Sequence, residues 1–460
     1  MIGAPSSFLE RFAELIGLSW ALGMALYTAV YFVFYLYGAP LGAAIVPALA
    51  VAVAGTVVCA RVVLAATPLV VPDDAGDRRS SGVVAIIGLC LVALQVGVAV
   101  WVAMGSLLRY DDAWTVWATK ARLFLSGGPL PSYWHQQAYQ NHPNYPLNVP
   151  LAEALFFHVP GQIGLHLAAL IGSACLVALL LLFYAGLARL YGRTTAILGT
   201  ALLSVVPTAP QFAGYGYADV PVSMYGGAAA LYLLLWQRAR RRVDLILMGL
   251  LAGGAIWTKK EGLPIALIVW LALAVTELAR RAPLRARLVP VMWASLATIA
   301  LPFPWILFSL IVRPVGADFR PLTIGVFLAH AGRLPHIAVR FVEEVIDVSH
   351  WSLFWIGLAA LLAAAARRLS PQGRLLLAML ATQLAVYLAG YVFSHWQSYD
   401  DHIGSSLNRL VLQAVPLAAL VMIEAARALP AGYGVSLSRR EAGGGRREAG
   451  GAGFFLTPNA

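Results

Sequence analysis

The sequence predicts an all-α integral membrane protein, with about twelve transmembrane helices and an interfacial helix in its first large outer loop. Hydrophobic residues make up 60% of the 460 residues and charged residues only 12%, whereas a soluble domain carries about 25% charge. Apolar stretches of about 20 residues, long enough to cross roughly 30 Å of hydrocarbon, recur along the chain. The chain has too few polar groups to cover a surface that faces water. The lipid bilayer is therefore its expected surroundings.

The apolar segments predict one polytopic domain over residues 1–430. The predicted spans are approximately 12–37, 41–70, 82–107, 162–189, 194–208, 220–237, 243–258, 262–279, 288–312, 346–366, 373–393 and 409–429. The first is too long for the core of a signal peptide and is interpreted as a membrane helix. Residues 431–460 are rich in glycine and arginine and too poor in apolar residues to fold, which predicts a disordered cytoplasmic tail.

Basic residues predict the orientation, because they fall in alternate loops and cytoplasmic loops carry an excess of Lys and Arg. The loops concerned contain Arg78, Arg79, Arg238, Arg240, Arg241, Arg242, Arg280, Arg281, Arg285, Arg287, Arg367 and Arg368. Both termini are then cytoplasmic, in a multi-pass protein of the plasma membrane. The formal charge of +11 follows from this loop bias, so nucleic acid is not an expected partner.

The three cysteines and one arginine lie inside apolar runs. Cys59, Cys90 and Cys175 have neither a disulfide framework nor the spacing of a metal site, and they are interpreted as small buried hydrophobic residues. Arg61 stands alone within the second predicted span and receives no functional interpretation.

Most residues that could take part in a reaction or bind a polar ligand lie in the loops predicted to face outward. These loops are 108–161, 209–219, 258–262, 313–345 and 394–408, and the long ones hold most of the His, Trp, Asp and Pro outside the spans. We therefore expect the chemistry on the extracytoplasmic face.

An acidic pair, Asp111-Asp112, follows the third predicted span and begins a helical pattern. Its apolar stripe is Trp114, Trp117, Ala118, Ala121, Phe124 and Leu125, and its polar stripe is Asp112, Thr115, Thr119 and Arg122. Two stripes at helical spacing indicate a helix that lies in the membrane interface. The alternative for the two carboxylates is that they only cap this helix.

Two further motifs occur in the outer loops. Pro143 and Pro146 fix an extended turn that carries His142 and Tyr145, although a plain re-entry loop is the alternative. Asp219 stands where a predicted span begins, and a carboxylate near the hydrocarbon is usually paired or functional. Its alternative is a helix cap.

Lys259 and Lys260 interrupt a long apolar region on the predicted outer face, against the positive-inside bias. An anionic ligand such as a phosphate would explain them. A miscounted span, which would return both lysines to the cytoplasm, is the alternative.

The last outer loop leads into the final predicted span. His402, Ser405 and Arg409 follow at i, i+3 and i+7, so they share one helix face, and this combination suits a phosphate. The alternatives are a solvated loop with a snorkelling Arg409, or a divalent metal on His395, Asp401 and His402, whose spacing is not diagnostic.

These motifs, in this order and on one side, resemble the GT-C membrane glycosyltransferases, near protein O-mannosyltransferases and the aminoarabinose transferases of lipid A. The resemblance covers about residues 82–430. It matches Asp111 to the catalytic aspartate, the segment from His142 to Leu147 to a proline segment, and Asp219 to a second acid. Thr258-Lys259 matches a Thr-Lys step. The acidic pair is Asp-Asp rather than the commoner Asp-Glu, and it follows the third predicted span rather than the first.

The resemblance implies transfer of a sugar from a polyprenyl-phosphate-linked donor to an acceptor hydroxyl, with inversion. The acceptor is a lipid, a glycan or a protein, and whether a divalent metal takes part stays open. Asp111, Asp219 and Asp112 are the expected catalytic residues: Asp111 is the base, Asp219 would orient the acceptor or share a metal, and helix capping is the alternative for Asp112. Expected groups around the donor phosphate are Arg122, His142, Tyr145, Lys259, Lys260, His402 and Arg409. The alternatives are a secondary transporter or a lipid flippase without glycosyl transfer.

Overall fold

A computed structural model describes residues 8–39, 41–65, 78–125, 142–159, 162–312 and 318–429. Regular structure in these ranges is helical, and the one strand-like pairing among them is an isolated antiparallel bridge between Phe319 and Ser394. The prediction of an all-α protein is therefore confirmed for the described ranges. The predicted tail, 431–460, lies outside them.

Twenty α-helices are used below, numbered in chain order. They are α1 (Phe8–Leu36), α2 (Leu41–Ala65), α3 (Arg78–Ser106), α4 (Thr119–Leu125), α5 (Asn148–Phe157), α6 (Gln162–Ala169), α7 (Ile171–Tyr191), α8 (Arg193–Leu203), α9 (Thr208–Tyr215), α10 (Asp219–Ala239), α11 (Arg242–Thr258), α12 (Gly262–Leu278), α13 (Leu284–Ala300), α14 (Phe303–Val312), α15 (Ile324–His330), α16 (Leu334–Ile346), α17 (Val348–Trp351), α18 (Phe354–Ala365), α19 (Pro371–Val392) and α20 (Tyr399–Arg427). A π-helix, Ala113–Ala118, leads directly into α4.

Within the described residues, five helical stretches are long and apolar enough to cross a membrane: Phe8–Leu36, Ala85–Ser106, Ile163–Tyr191, Pro371–Val392 and Tyr399–Arg427. Two bent helix pairs raise the number to seven if each pair is one span. The chain is thus a multi-pass membrane protein. Twelve spans stay a prediction.

Three predicted segments differ from the observed helices. The predicted span 288–312 is bent by 66° between α13 and α14. The predicted span 194–208 ends in a bend of the same size, because α8 stops at Leu203 and α9 begins at Thr208. The predicted span 346–366 is not one continuous helix. There the Asp347 carboxylate accepts from the Ser349 N–H, and Ser352 adopts φ 51°, so the helix restarts only at Phe354.

Large apolar side chains cover much of the outside of the helix bundle. Trp101 is 77% exposed, Ile311 72% and Leu310 68%, and many further Leu, Ile and Val residues along α2, α3, α12 and α13 are exposed. A soluble monomer rarely exposes contiguous apolar surface of this extent. These side chains are therefore the lipid-facing surface of the protein.

Helix α10 lies at the centre of the bundle and is buried from Asp219 to Trp236. It packs against α7, α11 and α20. Glycine permits the closest approach, because a Cβ at Gly227 would lie 2.4 Å from the Pro416 side chain of α20. Small residues at helix contacts are typical of membrane bundles, where backbones must approach closely without a hydrophobic driving force.

The bundle has a charged cluster at each end. At one end Arg189 of α7 forms ion pairs with Glu14 of α1 and with Asp244 at the start of α11. Helix α11 ends at Thr258, so Lys259 lies at the opposite end, where it forms a second charged cluster with Asp219, Arg409 and Asp112. The loops predicted to share the outer face thus meet at one end of the bundle.

Cysteine labelling tests which end faces outward. In a background with all three native cysteines replaced by alanine, we expect Thr323→Cys and Gln397→Cys to react with an impermeant thiol reagent in intact cells. Arg281→Cys and Arg368→Cys should react only after lysis, because both positions lie in the arginine-rich loops that are predicted to be cytoplasmic. All four native side chains are exposed. The reverse pattern would place the charged cluster described next in the cytoplasm and contradict the predicted orientation.

Candidate active site

Asp219, the first residue of α10, lies at the centre of a buried polar cluster. Its carboxylate is fully buried and accepts hydrogen bonds from Lys259 Nζ at 2.7 Å, Gln413 Nε2 at 2.7 Å and Arg409 Nε at 3.0 Å. Buried carboxylates persist only when cations and donors compensate for lost water, and Asp219 has both. The cap interpretation of Asp219 is wrong, because its carboxylate binds side chains of other helices.

Local structure explains why these partners reach Asp219. Lys259 follows the end of α11 in an extended conformation, and the chain turns so tightly there that a Cβ on Gly262 would lie 1.9 Å from the Ala255 carbonyl oxygen. Arg409 and Gln413 stand four residues apart on α20, so they share a helix face. Only Lys259 and Arg409 of this set were expected at the site, and Gln413 was missed.

Arg409 connects Asp219 to the acidic pair. Its Nη1 lies 2.5 Å from Asp112 Oδ2, and its guanidinium lies 4.6 Å from the ring centroid of Tyr217. The Asp112 side chain is 20% exposed whereas that of Asp219 is fully buried. One arginine therefore joins a buried carboxylate to an accessible one.

The two members of the acidic pair differ in position. Asp111 is exposed, whereas Asp112 turns inward to Arg409. The interpretation of Asp112 as a helix cap is wrong, because its side chain forms no capping hydrogen bond. Of the two, Asp112 is the one in direct contact with the cationic groups.

A π-helix after the acidic pair changes which residues face inward. Thr119 Oγ1 donates to the Trp114 carbonyl, five residues back, at 2.7 Å. A π-turn holds more residues than an α-turn, so the predicted 3.6-residue stripe loses register. Trp117, Ala118, Ala121 and Phe124 are buried as predicted, but Trp114 is 42% exposed and Lys120, which was not predicted, is buried.

Arg122 faces away from the cluster. Its guanidinium lies 3.7 Å from the centroid of the exposed Trp114 ring and 5.7 Å from that of Phe157. Among the residues predicted to bind phosphate, the structure therefore does not bring Arg122 to Arg409 and Lys259.

The predicted proline turn begins at His142, which contacts three other residues. His142 has φ 56°, a strained value for a residue with a side chain, and its carbonyl accepts from Lys120 Nζ at 2.7 Å. Its Nδ1 lies 2.8 Å from Asp318 Oδ2, and its ring stacks on Tyr145 at 4.6 Å. These contacts place both predicted residues, His142 and Tyr145, beside the cluster.

Behind the turn, Asn148 holds it against the bundle. Its Nδ2 donates to Thr258 Oγ1 at 2.9 Å, and its Oδ1 accepts from Thr28 Oγ1 at 2.7 Å. Thr258 and Lys259 thus contact different parts of the site. Thr258 accepts a hydrogen bond from Asn148 behind the proline turn, and Lys259 donates one to Asp219. Sequence reasoning missed Asn148, because no local pattern marks its partners in α1 and α11.

Tyr145 lies between two lysines. Lys120 Nζ is 5.6 Å and Lys260 Nζ 5.1 Å from its ring centroid. Burial and, to a smaller extent, the charge of Lys260 lower the pKa of Lys120 to about 7, although the charge of Asp112 opposes this shift. Burial also lowers the pKa of Lys260, while Asp318 and Glu261 oppose the shift. Within the described residues Lys260 forms no ion pair, which makes it a cation available to a ligand.

A short strap crosses the same end of the bundle. Asp318, Phe319 and Arg320 pair with residues 393–395: the Arg320 N–H donates to the Phe393 carbonyl at 2.8 Å, and the His395 N–H donates to that of Asp318 at 2.9 Å. Burial alone would raise the pKa of Asp318, but the hydrogen bond and charge of His142 and the charge of Lys260 lower it overall. Asp318 was not predicted to belong to the site.

His402 lies at the rim of the site rather than beside Arg409. Its Nδ1 is 2.9 Å from Ser394 Oγ, and its ring stacks on Trp396 at 4.6 Å. Ser405 Oγ donates to the His402 carbonyl, so this hydroxyl is occupied locally. Of the three residues predicted to share one face, Arg409 therefore lies at the centre of the site, whereas His402 lies at its rim and Ser405 is bonded to the His402 carbonyl.

The alternative of a divalent metal on His395, Asp401 and His402 is not supported by the arrangement of side chains. No group of three or more His, Cys, Asp and Glu side chains in the described ranges is arranged to hold a metal ion. This includes His395, Asp401 and His402.

No protein-family model matches the chain, and no curated protein matches it significantly.

Proposed function

We propose that the protein is a glycosyltransferase, which transfers a sugar from a polyprenyl-phosphate-linked donor to an acceptor hydroxyl on the extracytoplasmic face. One observation carries the proposal. Asp112, Asp219, Lys259 and Arg409 come from four distant parts of the chain and form one ion-paired cluster at an end of a membrane helix bundle. An accessible carboxylate beside such cations combines the base and the phosphate-binding charge that the reaction requires.

In the proposed reaction the acceptor oxygen attacks the anomeric carbon while Asp112 takes the hydroxyl proton. The bond between that carbon and the phosphate oxygen breaks, and the oxygen keeps the electron pair. The leaving group is a polyprenyl phosphate. A single displacement inverts the anomeric configuration. Asp112 is preferred to Asp111 because it lies beside Arg409 and remains 20% exposed.

Arg409 couples the base to the leaving group. Its guanidinium contacts Asp112 and Asp219 together. A donor phosphate would compete with Asp112 for the guanidinium, and Asp112 would then be released to accept the acceptor proton. Asp219 is fully buried and cannot touch an acceptor, so its role is to position Arg409 and Lys259.

Lys260 is the second proposed phosphate ligand. Lys259 is 3% exposed and is occupied by Asp219, whereas Lys260 is half-buried and free of ion pairs in the described part of the chain. Charged hydrogen bonds contribute about 1.5–3 kcal/mol each.

Binding of a polyprenyl phosphate to the purified protein tests this assignment. Lys260→Met and Arg409→Met are expected to weaken binding by about 10–100-fold, which corresponds to one lost charged hydrogen bond. Arg368→Met, at the opposite end of the bundle, is the control and should bind normally. Affinity should be measured in detergent for monodisperse protein only.

Equal affinity for all three variants would mean that these basic residues determine topology alone. The transporter and flippase alternatives are tested with the same protein in liposomes. Movement of a labelled lipid-linked sugar across the bilayer without transfer to any acceptor would favour them and contradict the proposed activity.

A further inference from the structure

Helix α16 lies across the end of the bundle that holds the candidate site. Near its start, His336 Nε2 is 2.8 Å from Asp400 Oδ1, at the beginning of α20. Near its end, Glu344 Oε1 is 2.8 Å from His350 Nδ1, and the His350 carbonyl accepts a hydrogen bond from Thr208 Oγ1 at the beginning of α9. With 13 residues the helix is about 20 Å long. It therefore runs along the end of the bundle rather than through the membrane.

One side of α16 packs against the rest of the protein. Ile337 is 1% exposed, and Phe341 and Val345 are partly buried against the hydrophobic core. These three residues are spaced four positions apart, so they form one stripe along the helix. The helix contacts α19 and α20. This packing determines which sides of α16 remain accessible.

The second side of α16 is exposed and apolar. Val339 is 53% exposed, Val342 53% and Ile346 54%. Their spacing of i, i+3 and i+7 places them on one face of the helix. Pro335 and Ala338, on the same side, are also exposed. Such a continuous apolar stripe is unfavourable in water, which indicates that apolar groups cover it.

The third side of α16 is exposed and charged. The side chains of His336, Arg340 and Glu343 are 44%, 35% and 56% exposed. They are spaced at i, i+4 and i+7, so they form a stripe beside the apolar one. Arg340 Nη1 lies 3.0 Å from Glu343 Oε2. Ionised groups lose their hydration in hydrocarbon at a large cost, so this side faces water or lipid headgroups.

A boundary between hydrocarbon and water satisfies both exposed sides at once. Water alone would leave the apolar stripe hydrated, and hydrocarbon alone would dehydrate the charged one. The exposed apolar surface also continues along the chain: Val348 is 58% exposed, Leu353 66% and Ile356 44%. These residues lead into α18, which consists of apolar residues and glycine. This continuity favours lipid over a second copy of the protein as the cover of the apolar stripe.

We propose that α16 is an interface helix, whose residues Val339, Val342 and Ile346 lie among the acyl chains of the adjoining leaflet while its charged stripe faces headgroups and water. The partner of this surface is the lipid bilayer, although the sequence predicted 313–345 only as an outward-facing loop. Because α16 contacts the start of α20, it sets the level of the membrane surface relative to the helix that carries Arg409. The inference is independent of the proposed function.

Spin labelling in liposomes tests the depth of α16. The full-length protein, with its three native cysteines replaced by alanine, carries one nitroxide at Val342→Cys, Ile346→Cys or Glu343→Cys. It is reconstituted in phosphatidylethanolamine and phosphatidylglycerol, and the collision rates of the label with oxygen and with a polar nickel chelate are measured. We expect the oxygen-to-nickel ratio at positions 342 and 346 to exceed that at 343 by about 10-fold or more, because hydrocarbon excludes the polar chelate.

Glu343 is the matched control, since it is adjacent to Val342 on the same helix and 56% exposed. Leu271→Cys, at a position 51% exposed on the apolar helix α12, is the reference for hydrocarbon and should give a high ratio. All the substituted side chains are exposed, so labelling should leave thermal unfolding unchanged.

Two other outcomes overturn the inference in distinguishable ways. Ratios at positions 342 and 346 as low as that at 343 would place the apolar stripe in water. Low collision rates with both reagents at 342 and 346 would mean that protein covers the stripe, and in a purified preparation that protein is a second copy of this chain. Either result rejects the interface helix and leaves the proposed function untouched.

Discussion

Asp112→Asn is expected to lower sugar transfer by about 10²-fold or more, because the amide cannot take the proton of the acceptor hydroxyl. The substitution keeps the size of the side chain and much of its hydrogen bonding. Binding of polyprenyl phosphate should not fall, since the neutral amide competes less with the phosphate for Arg409, and Arg409 keeps its contact with Asp219. The loss should therefore appear in kcat rather than in donor affinity.

Asp111→Asn is the matched control for this prediction. The two residues are adjacent and chemically identical, but Asp111 is exposed and Asp112 contacts Arg409 at 2.5 Å. We expect Asp111→Asn to retain transfer within about tenfold. The rates are measured with a lipid-linked sugar and the membrane fraction that contains its acceptor.

The opposite ranking would return the base to Asp111, the residue that the family resemblance indicates. Near-normal transfer by both variants would remove the acidic pair from the mechanism. Since yield and donor binding are followed in the same preparations, a folding defect cannot be mistaken for a catalytic one.

The elements that local patterns determine were predicted well. Apolar length predicted α1, α11 and α12 to within a few residues, except that α1 begins four residues early. The place of Lys259 against the positive-inside bias predicted an anionic ligand such as a phosphate. The anion that Lys259 contacts in the structure is the Asp219 carboxylate, and a ligand there stays a prediction.

Contacts between distant segments could not be predicted in this way. The pair between His142 and Asp318 spans 176 positions, and Gln413 lies 194 positions from Asp219. No periodicity links such residues, because helix packing alone brings them together. The π-helix was missed for a different reason: its one extra residue per turn leaves no mark in a stripe read at 3.6 residues per turn.

The breaks within predicted spans depend on single residues. Asp347 and Ser352 interrupt an apolar run that hydropathy alone joins into one helix. A side chain that accepts a hydrogen bond from the backbone stabilises a helix end at that place. Ending the helix then competes with continuing it, and the free-energy difference between the two is small. Average hydropathy cannot predict which of the two occurs.

Asp219→Asn is expected to destabilise the folded protein by about 3–5 kcal/mol, the cost of breaking a buried ion pair from one side. The substitution leaves Lys259 and Arg409 buried without their shared carboxylate; their side chains are 3% and 11% exposed. Thermal unfolding in detergent measures the effect. Asp401→Asn, on the exposed start of α20, is the control and should unfold like the wild type.

The double variant Asp219→Asn with Lys259→Met distinguishes ion pairing from loss of packing. Removing the lysine eliminates a buried charge that has lost its nearer carboxylate and keeps only Glu261 at 3.3 Å, so the double variant should be more stable than Asp219→Asn alone. Coupling between neighbouring charges makes the two effects non-additive. Additive losses would mean that the two side chains contribute independently and that Asp219 does not hold Lys259 in place. Transfer should stay low in the double variant even where stability recovers, because Arg409 would still lack the carboxylate that positions it for the donor phosphate.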